Sequence, residues 1–331
     1  MPEIIRRLLA AKQRTDFRTN KFRKPAHATQ LTFLRAYGKQ SRSRIRHHHR
    51  AYLGRAFLLR SRTALTESHL MSPIIQRLRH DNEVLYKVLL FIFGGFIWLG
   101  VIIGFLGAVA MHNHATIAIY IEYGIGIPAF LLISAALYRA KAFGNMVLLG
   151  PEQCPDLYKA VVEGAEKLGL PKTPTTFIYN SQGIMNAFAR RLLGARYVFL
   201  TSALVEVQSD AQVRFVIGHE LGHHAAGHLD PLKTILMAPG HFVPFLGPAY
   251  SRTREYTCDQ VGAYLCADPQ AARASLQMLG CGCRRLNGSL NIEAFAAQEQ
   301  MVPSIAGFFT EIVRSHPRLT RRVSAIRDNA A

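Results

Sequence analysis

Residues 88–111, VLLFIFGGFIWLGVIIGFLGAVAM, run for 24 positions without a charged side chain. As a helix this run is about 36 Å long, more than the roughly 30 Å of a bilayer's hydrocarbon core. A second apolar stretch covers 116–138, with Glu122 near its start and Pro128 inside it. Glu122 falls close to a membrane face, where a carboxylate costs less than at mid-membrane. Only a short turn separates the two stretches, so the pattern predicts a helical hairpin that crosses a membrane twice. Arg77, Arg79 and Lys87 precede it, Arg139 and Lys141 follow it, and the turn holds no Lys or Arg. The positive-inside rule then puts both outer ends, and the chain after residue 141, on the cytoplasmic side.

Beyond residue 141 the pattern shortens. PDLYKAVVEGAEKLGL reads as an amphipathic helix closed by Gly169 and Pro171. TTFIY (175–179), NAFAR (186–190) and YVFLT (197–201) read as strands, the last two joined around Gly194. Ser209 or Asp210 is placed to cap a helix through VRFVIGHELGHHAAGH, and another helix is expected over 251–265. Residues 142–331 are therefore expected to form an α+β domain, mainly helical with a small sheet. The stretch 235–250, ILMAPGHFVPFLGPAY, is apolar but has 16 residues and three prolines. It is too short to span and reads as a membrane-surface segment or a lid.

Charge changes the picture at one end only. Residues 1–70 hold 17 Lys/Arg against three acids, so most of the formal net charge of +19 belongs there. This region reads as a basic, disordered extension. The alternatives are an organellar transit peptide, an arm for anionic lipid or nucleic acid, or a start of translation at Met71 instead. His47–His49 fit a solvated basic run. Five cysteines, an odd number in a chain this long, argue against a disulfide framework.

The candidate chemistry lies in GHELGHHAAGH, residues 218–228. His219-Glu220-Leu221-Gly222-His223 is an H-E-x-x-H. On a helix, positions i and i+4 share a face, so both imidazoles reach one point, with Glu220 beside them. Two neutral imidazoles and a nearby carboxylate suit Zn²⁺ with a position left open for water. A third ligand on the metzincin spacing requires glycine at 226 and histidine at 229, where this chain has Ala226 and Leu229. His224 and His228 are then expected to be flanking polar residues. The other source is SRTREYTCDQVGAYL (251–265), where Glu255 and Asp259 lie one turn apart. From the residues alone, that pair fits a ligand with a carboxylate behind it. It equally fits a surface face paired with Arg252 and Arg254.

From about residue 71 onward the chain resembles the HtpX-type membrane zinc metalloproteases, relatives of the type-one CAAX prenyl proteases. The resemblance rests on the apolar hairpin, NAFA, GHELGHH, SRTREYTCD and the late HPRLTRRV. It implies a gluzincin-type domain, one Zn²⁺ per chain, and His219, His223 and Glu255 as ligands. Asp259 would fix the tautomer of a ligand histidine. Asn186, Ala187, Phe188 and Ala189 would form an edge strand that pairs with extended substrate. Glu220 would be the general base, and His316 and Arg322 would face the transition state, or serve structure alone. The implied activity is a membrane-anchored endopeptidase cutting protein or peptide substrates at the cytoplasmic face of a bacterial inner membrane, in quality control. Membrane lipid is an expected partner and nucleic acid is not. The competing readings are a catalytically silent adaptor of the same fold and a lipid or nucleic-acid binder working through residues 1–70. HtpX is expected to have further membrane helices between the histidines and the third ligand, and here only 235–250 occupies that interval.

Overall fold

The computed structural model describes residues 72–328. The expectations about residues 1–70, and about a start at Met71, lie outside the described residues.

After a short helix α1 (Pro73–Leu78) come two long helices, α2 (Asp81–Ala110) and α3 (His114–Asn145). Both are long and apolar enough to cross a membrane. Both begin before the apolar runs 88–111 and 116–138, because caps, not composition, set their starts. The His80 side chain accepts from the Asn82 N–H at the start of α2, and Asn113 accepts from Thr116 at the start of α3. Large apolar side chains along both stay uncovered, among them Phe96, Ile103, Ile125 and Phe130.

The rest of the chain is strand β1 (Val147–Leu148), helix α4 (Pro155–Lys167), strands β2 (Thr175–Tyr179), β3 (Ala187–Leu192) and β4 (Ala195–Thr201), then a run of helices. These are α5 (Ser202–Val207), α6 (Asp210–Ala225), α7 (Pro231–Met237), a 3₁₀ turn (Ala238–Phe242), α8 (Leu246–Cys266), α9 (Pro269–Cys281), α10 (Ile292–Ala297), α11 (Ser304–Ile312) and α12 (Leu319–Ala325). The architecture is mainly helical with one small mixed sheet, as the patterning predicts.

The sheet runs β1-β2-β4-β3. β2 and β4 are parallel and the outer pairs are antiparallel. Leu193 and Gly194, with φ of 49° and 82°, close the β3–β4 hairpin in two residues. Two such angles in succession give the twist that a hairpin needs. β4 alternates strictly: Val198 and Leu200 join the main core, while Tyr197 and Phe199 join a second cluster with Phe177 and Ala142. One face of the sheet thus packs on the domain's helices and the other on the end of α3. β3 is left at the edge.

The main core centres on α6 and α8, which cross closely. A Cβ on Gly218 would stand 2.9 Å from the Gly262 Cα, and one on Gly262 would stand 2.7 Å from the Phe215 carbonyl oxygen. Glycine at both positions is what lets the two backbones touch.

Candidate metal centre and cleft

α6 carries the H-E-x-x-H. Its start is fixed by a capping box: the Ser209 hydroxyl accepts from the Gln212 N–H, and the Gln212 side chain accepts from the Ser209 N–H. Val213, Phe215, Ile217 and Leu221 anchor it in the core. The remaining face turns His219, Glu220 and His223 toward α8, which begins at residue 246, five earlier than the pattern suggests.

Glu255, on α8, lies between the two imidazoles. Its carboxylate is 3.4 Å from His219 Nε2 and 3.6 Å from His223 Nε2. Ligand atoms arranged tetrahedrally at about 2.0–2.1 Å from zinc stand about 3.3–3.4 Å apart. Glu255 thus stands at about that spacing from each imidazole, where a third donor would be. The Cys258 sulfur also lies within 4.8 Å of nitrogens of both histidines. It is fully buried, sits 3.6 Å from His228 Nδ1, and burial holds its thiol well above the usual range. Glu255 lines the cleft beside the two histidines and Cys258 does not, so Glu255 is the better-placed donor.

Each imidazole is held from behind by a different group. His219 Nδ1 meets Asp259 Oδ1 at 3.0 Å. Arg322 forks onto the same carboxylate, with Nε and Nη2 donating at 2.8 and 2.7 Å, and its Nη1 lies 3.5 Å from Glu255. His223 Nδ1 meets His228 Nδ1 at 3.1 Å, and His228 Nε2 lies 3.2 Å from the Glu83 carboxylate of α2. Glu83 is in turn held by the Thr257 hydroxyl and by Arg79 at 3.2 Å.

His228 is thus no flanking residue. Gly227, at φ 74°, turns the chain at the end of α6, and the His228 N–H donates to the His223 carbonyl, which brings its ring back under the site. A glycine ending the helix just before a histidine was the available signal. His224 points the other way, and its Nε2 lies 2.9 Å from the Tyr197 carbonyl, tying α6 to β4.

Charge follows from these partners. Burial alone would lower the His219 pKa, but Asp259 and Glu255 outweigh it and raise it to about 10. Burial carries His223 well below its usual value. Burial would raise Glu255, yet His219, Arg322 and His223 hold its carboxyl well below the usual range. Burial pushes Glu220 up to about 7, against His219 and the Ala189 N–H that hydrogen-bonds its carboxylate.

These groups face a cleft of about 410 Å³. β3 forms one wall, with Asn186, Ala187, Phe188 and Ala189 all lining it, and His316 stands at its rim, 3.7 Å from Glu255. The structure therefore brings together every site residue singled out in the sequence. No residue of 235–250 lines this cleft. That segment packs on α2 instead, through Leu90, Met237, Leu246 and Tyr250.

A helix-borne H-E-x-x-H completed by a carboxylate from a second helix defines the zincin class of metallopeptidase sites. Residues 151–239 and 232–330 match the model of peptidase family M48, and the chain belongs to that family. Over 169 residues it is 29% identical to "Plastoglobule-localized metallopeptidase 48, chloroplastic" of Arabidopsis thaliana, covering 47% of this chain. It spans 48% of that relative's length. Over 236 residues it is 25% identical to a "Protease HtpX homolog" of Nostoc punctiforme, covering 59% of this chain and 78% of that one. The crystal structure of S. mikatae Ste24p superposes with a TM-score of 0.39 and 16% identity, covering 69% of this chain and 66% of that chain. The HtpX-type resemblance is borne out at the level of the family.

Proposed function

We propose that this chain is a membrane-anchored zinc endopeptidase that cuts protein substrates at the cytoplasmic face of a bacterial inner membrane, in quality control of membrane proteins. The observation that carries the reading is the convergence of His219, His223 and Glu255 on one point beside Glu220, in a cleft walled by a strand edge. His219, His223 and Glu255 would hold the ion. When bound, zinc supplies Lewis-acid activation of a water and of the scissile carbonyl.

The chain's own groups do the rest. Extended substrate adds along the outer edge of the segment Asn186–Ala189, at the start of β3, which sets the scissile carbonyl over the histidines. Glu220 accepts the proton of the attacking water and passes it to the leaving amine. His316, at the rim, donates to the developing oxyanion. Arg322 is committed to Asp259, so it acts by positioning: it fixes the carboxylate that fixes His219. His228 serves His223 in the same way. The membrane assignment is supported by α2 and α3, and the orientation by Lys87 at the near end of one apolar run and Arg139 and Lys141 beyond the other.

Glu220→Gln tests the chemistry. The variant is expected to hold one zinc per chain by metal analysis and to lose at least ~10³-fold in peptide cleavage, the upper part of what a general base contributes. Cleavage at the parent rate would refute the assignment.

A further inference from the structure

Residues 231–245 join the helix carrying His219 and His223 to the helix carrying Glu255. They do not take the shortest route: α7 runs out along α2, and the 3₁₀ turn comes back. Three contacts locate the excursion. The Trp98 indole N–H donates to the Ile235 carbonyl at 3.1 Å. A Cβ on Gly94 would stand 2.5 Å from the Leu236 carbonyl oxygen, and one on Gly240 would stand 2.5 Å from that of Leu90. At 1.5 Å per residue from position 88, where the uncharged run begins, Leu90, Gly94 and Trp98 lie about 3, 9 and 15 Å along it.

We propose that residues 231–245 form a re-entrant loop, which enters the hydrocarbon of the cytoplasmic leaflet beside α2 and leaves by the same face, with lipid acyl chains as its partner. The proposal rests on α2 and α3 being membrane spans.

Two independent features fit that environment. The first is the outward surface: Leu232, Ile235, Leu236 and Phe245 are exposed, and Phe242 is 83% exposed. They continue the uncovered apolar surface of α2, and contiguous exposed apolar surface marks a contact with a partner or a membrane. The second is the polar accounting, since a chain in hydrocarbon must satisfy its backbone internally. Asp230 accepts from the Lys233 N–H at the start of α7. At its end, Trp98 takes the Ile235 carbonyl, His241 Nδ1 lies 3.1 Å from the Met237 carbonyl, and the Val243 N–H donates to Gly240. The one basic side chain of α7, Lys233, turns back toward the domain, its Nζ 3.5 Å from where a Gly227 Cβ would be. That is how a lysine near a membrane boundary keeps its charge in water. Backbone contact through Gly94 and Gly240 is the packing that helices use where no hydrophobic effect drives them together.

Trp98 is the chain's single tryptophan, which supplies the experiment. The full-length protein is placed in dioleoylphosphatidylcholine vesicles and in matching vesicles of acyl-brominated phosphatidylcholine. The parent reports on Trp98, and Phe242→Trp, made both alone and with Trp98→Phe, reports on the loop. Both indoles are expected to lose at least half their emission in brominated vesicles and to resist aqueous iodide. Quenching of Trp98 by brominated lipid, with the indole introduced by Phe242→Trp quenched only by iodide, would overturn the re-entrant loop and leave the spans standing. No lipid quenching at either position would overturn both.

Discussion

The two histidines of one motif, four residues apart on one helix, are supported in opposite ways. His219 leans directly on a carboxylate, Asp259, itself pinned by a buried arginine from the last helix. His223 leans on a second imidazole, His228, and through it on Glu83 at the base of a long apolar helix. One support is charged and belongs to the C-terminal half of the domain. The other is relayed and ties the site to α2. The comparison shows how a short motif fixes where ligands are, while distant segments decide how firmly each is held.

Breaking the charged side should have the largest effect. Asp259→Ala strips the buried Arg322 of both fork hydrogen bonds and leaves it only the 3.5 Å contact with Glu255, a loss of about 3–5 kcal/mol in stability. It should also weaken zinc ~10–100-fold, read by competition with a chelator. A variant with parent stability and affinity would show that Asp259 is a bystander.

Charge state separates the two next. With His219 raised to about 10 and His223 lowered, the zinc-free protein at neutral pH carries a proton on the first ring and none on the second. Zinc uptake should therefore release about one proton from this pair, measurable by titration calorimetry in buffers of different ionisation enthalpy. The raised pKa contributes stability that is full below about 6.5, the ordinary histidine value, and is lost as pH rises through about 10. The melting temperature of the zinc-free protein should fall between pH 7 and 10, and fall less in Asp259→Asn. Equal slopes in the two would contradict the assignment.

The relayed side should give a smaller loss. Glu83→Gln keeps the shape of the side chain but removes the charge behind His228. Zinc affinity is expected to fall ~10-fold, the low end for such outer partners, and cleavage should fall with it at limiting zinc and recover at saturating zinc. Failure to recover would give Glu83 a role beyond the ligand.

The smallest effect belongs to Thr257→Val. It removes the hydroxyl that holds Glu83 and accepts from the His80 N–H. About 1–3 kcal/mol of stability should go, seen in denaturant melts, with zinc affinity changed less than ~3-fold.

The same asymmetry divides what the sequence could reveal. Elements set by local pattern were legible: TTFIY coincides with β2, and the hairpin turns at Leu193–Gly194. The H-E-x-x-H was legible because its geometry follows from helix period alone. Glu255 and Asp259 could be found because they share one helix face, and the resemblance chose between their two readings. Local pattern makes His228 a flanking residue because its partner, Glu83, is 145 residues away. Nothing in a chain's local pattern encodes such a pairing. Arg322 stays open in the sequence between the transition state and a structural role for the same reason: its fork onto Asp259 closes over 63 residues. The path of 231–245 was hidden too, since an apolar run interrupted by prolines says that a segment avoids water without saying what it lies against.

The glycine crossing of α6 and α8 works as a caliper. Side chains between two helices can rotate or compress, but backbone against backbone at Gly218 and Gly262 has no slack to give. The separation of the two ligand-bearing helices is therefore fixed at this crossing. A wedge such as Gly262→Ala would open the jaws, and the variant should discriminate less between zinc and the larger cadmium ion than the parent in direct competition. Selectivity for the metal would then reside partly in two residues that never touch it.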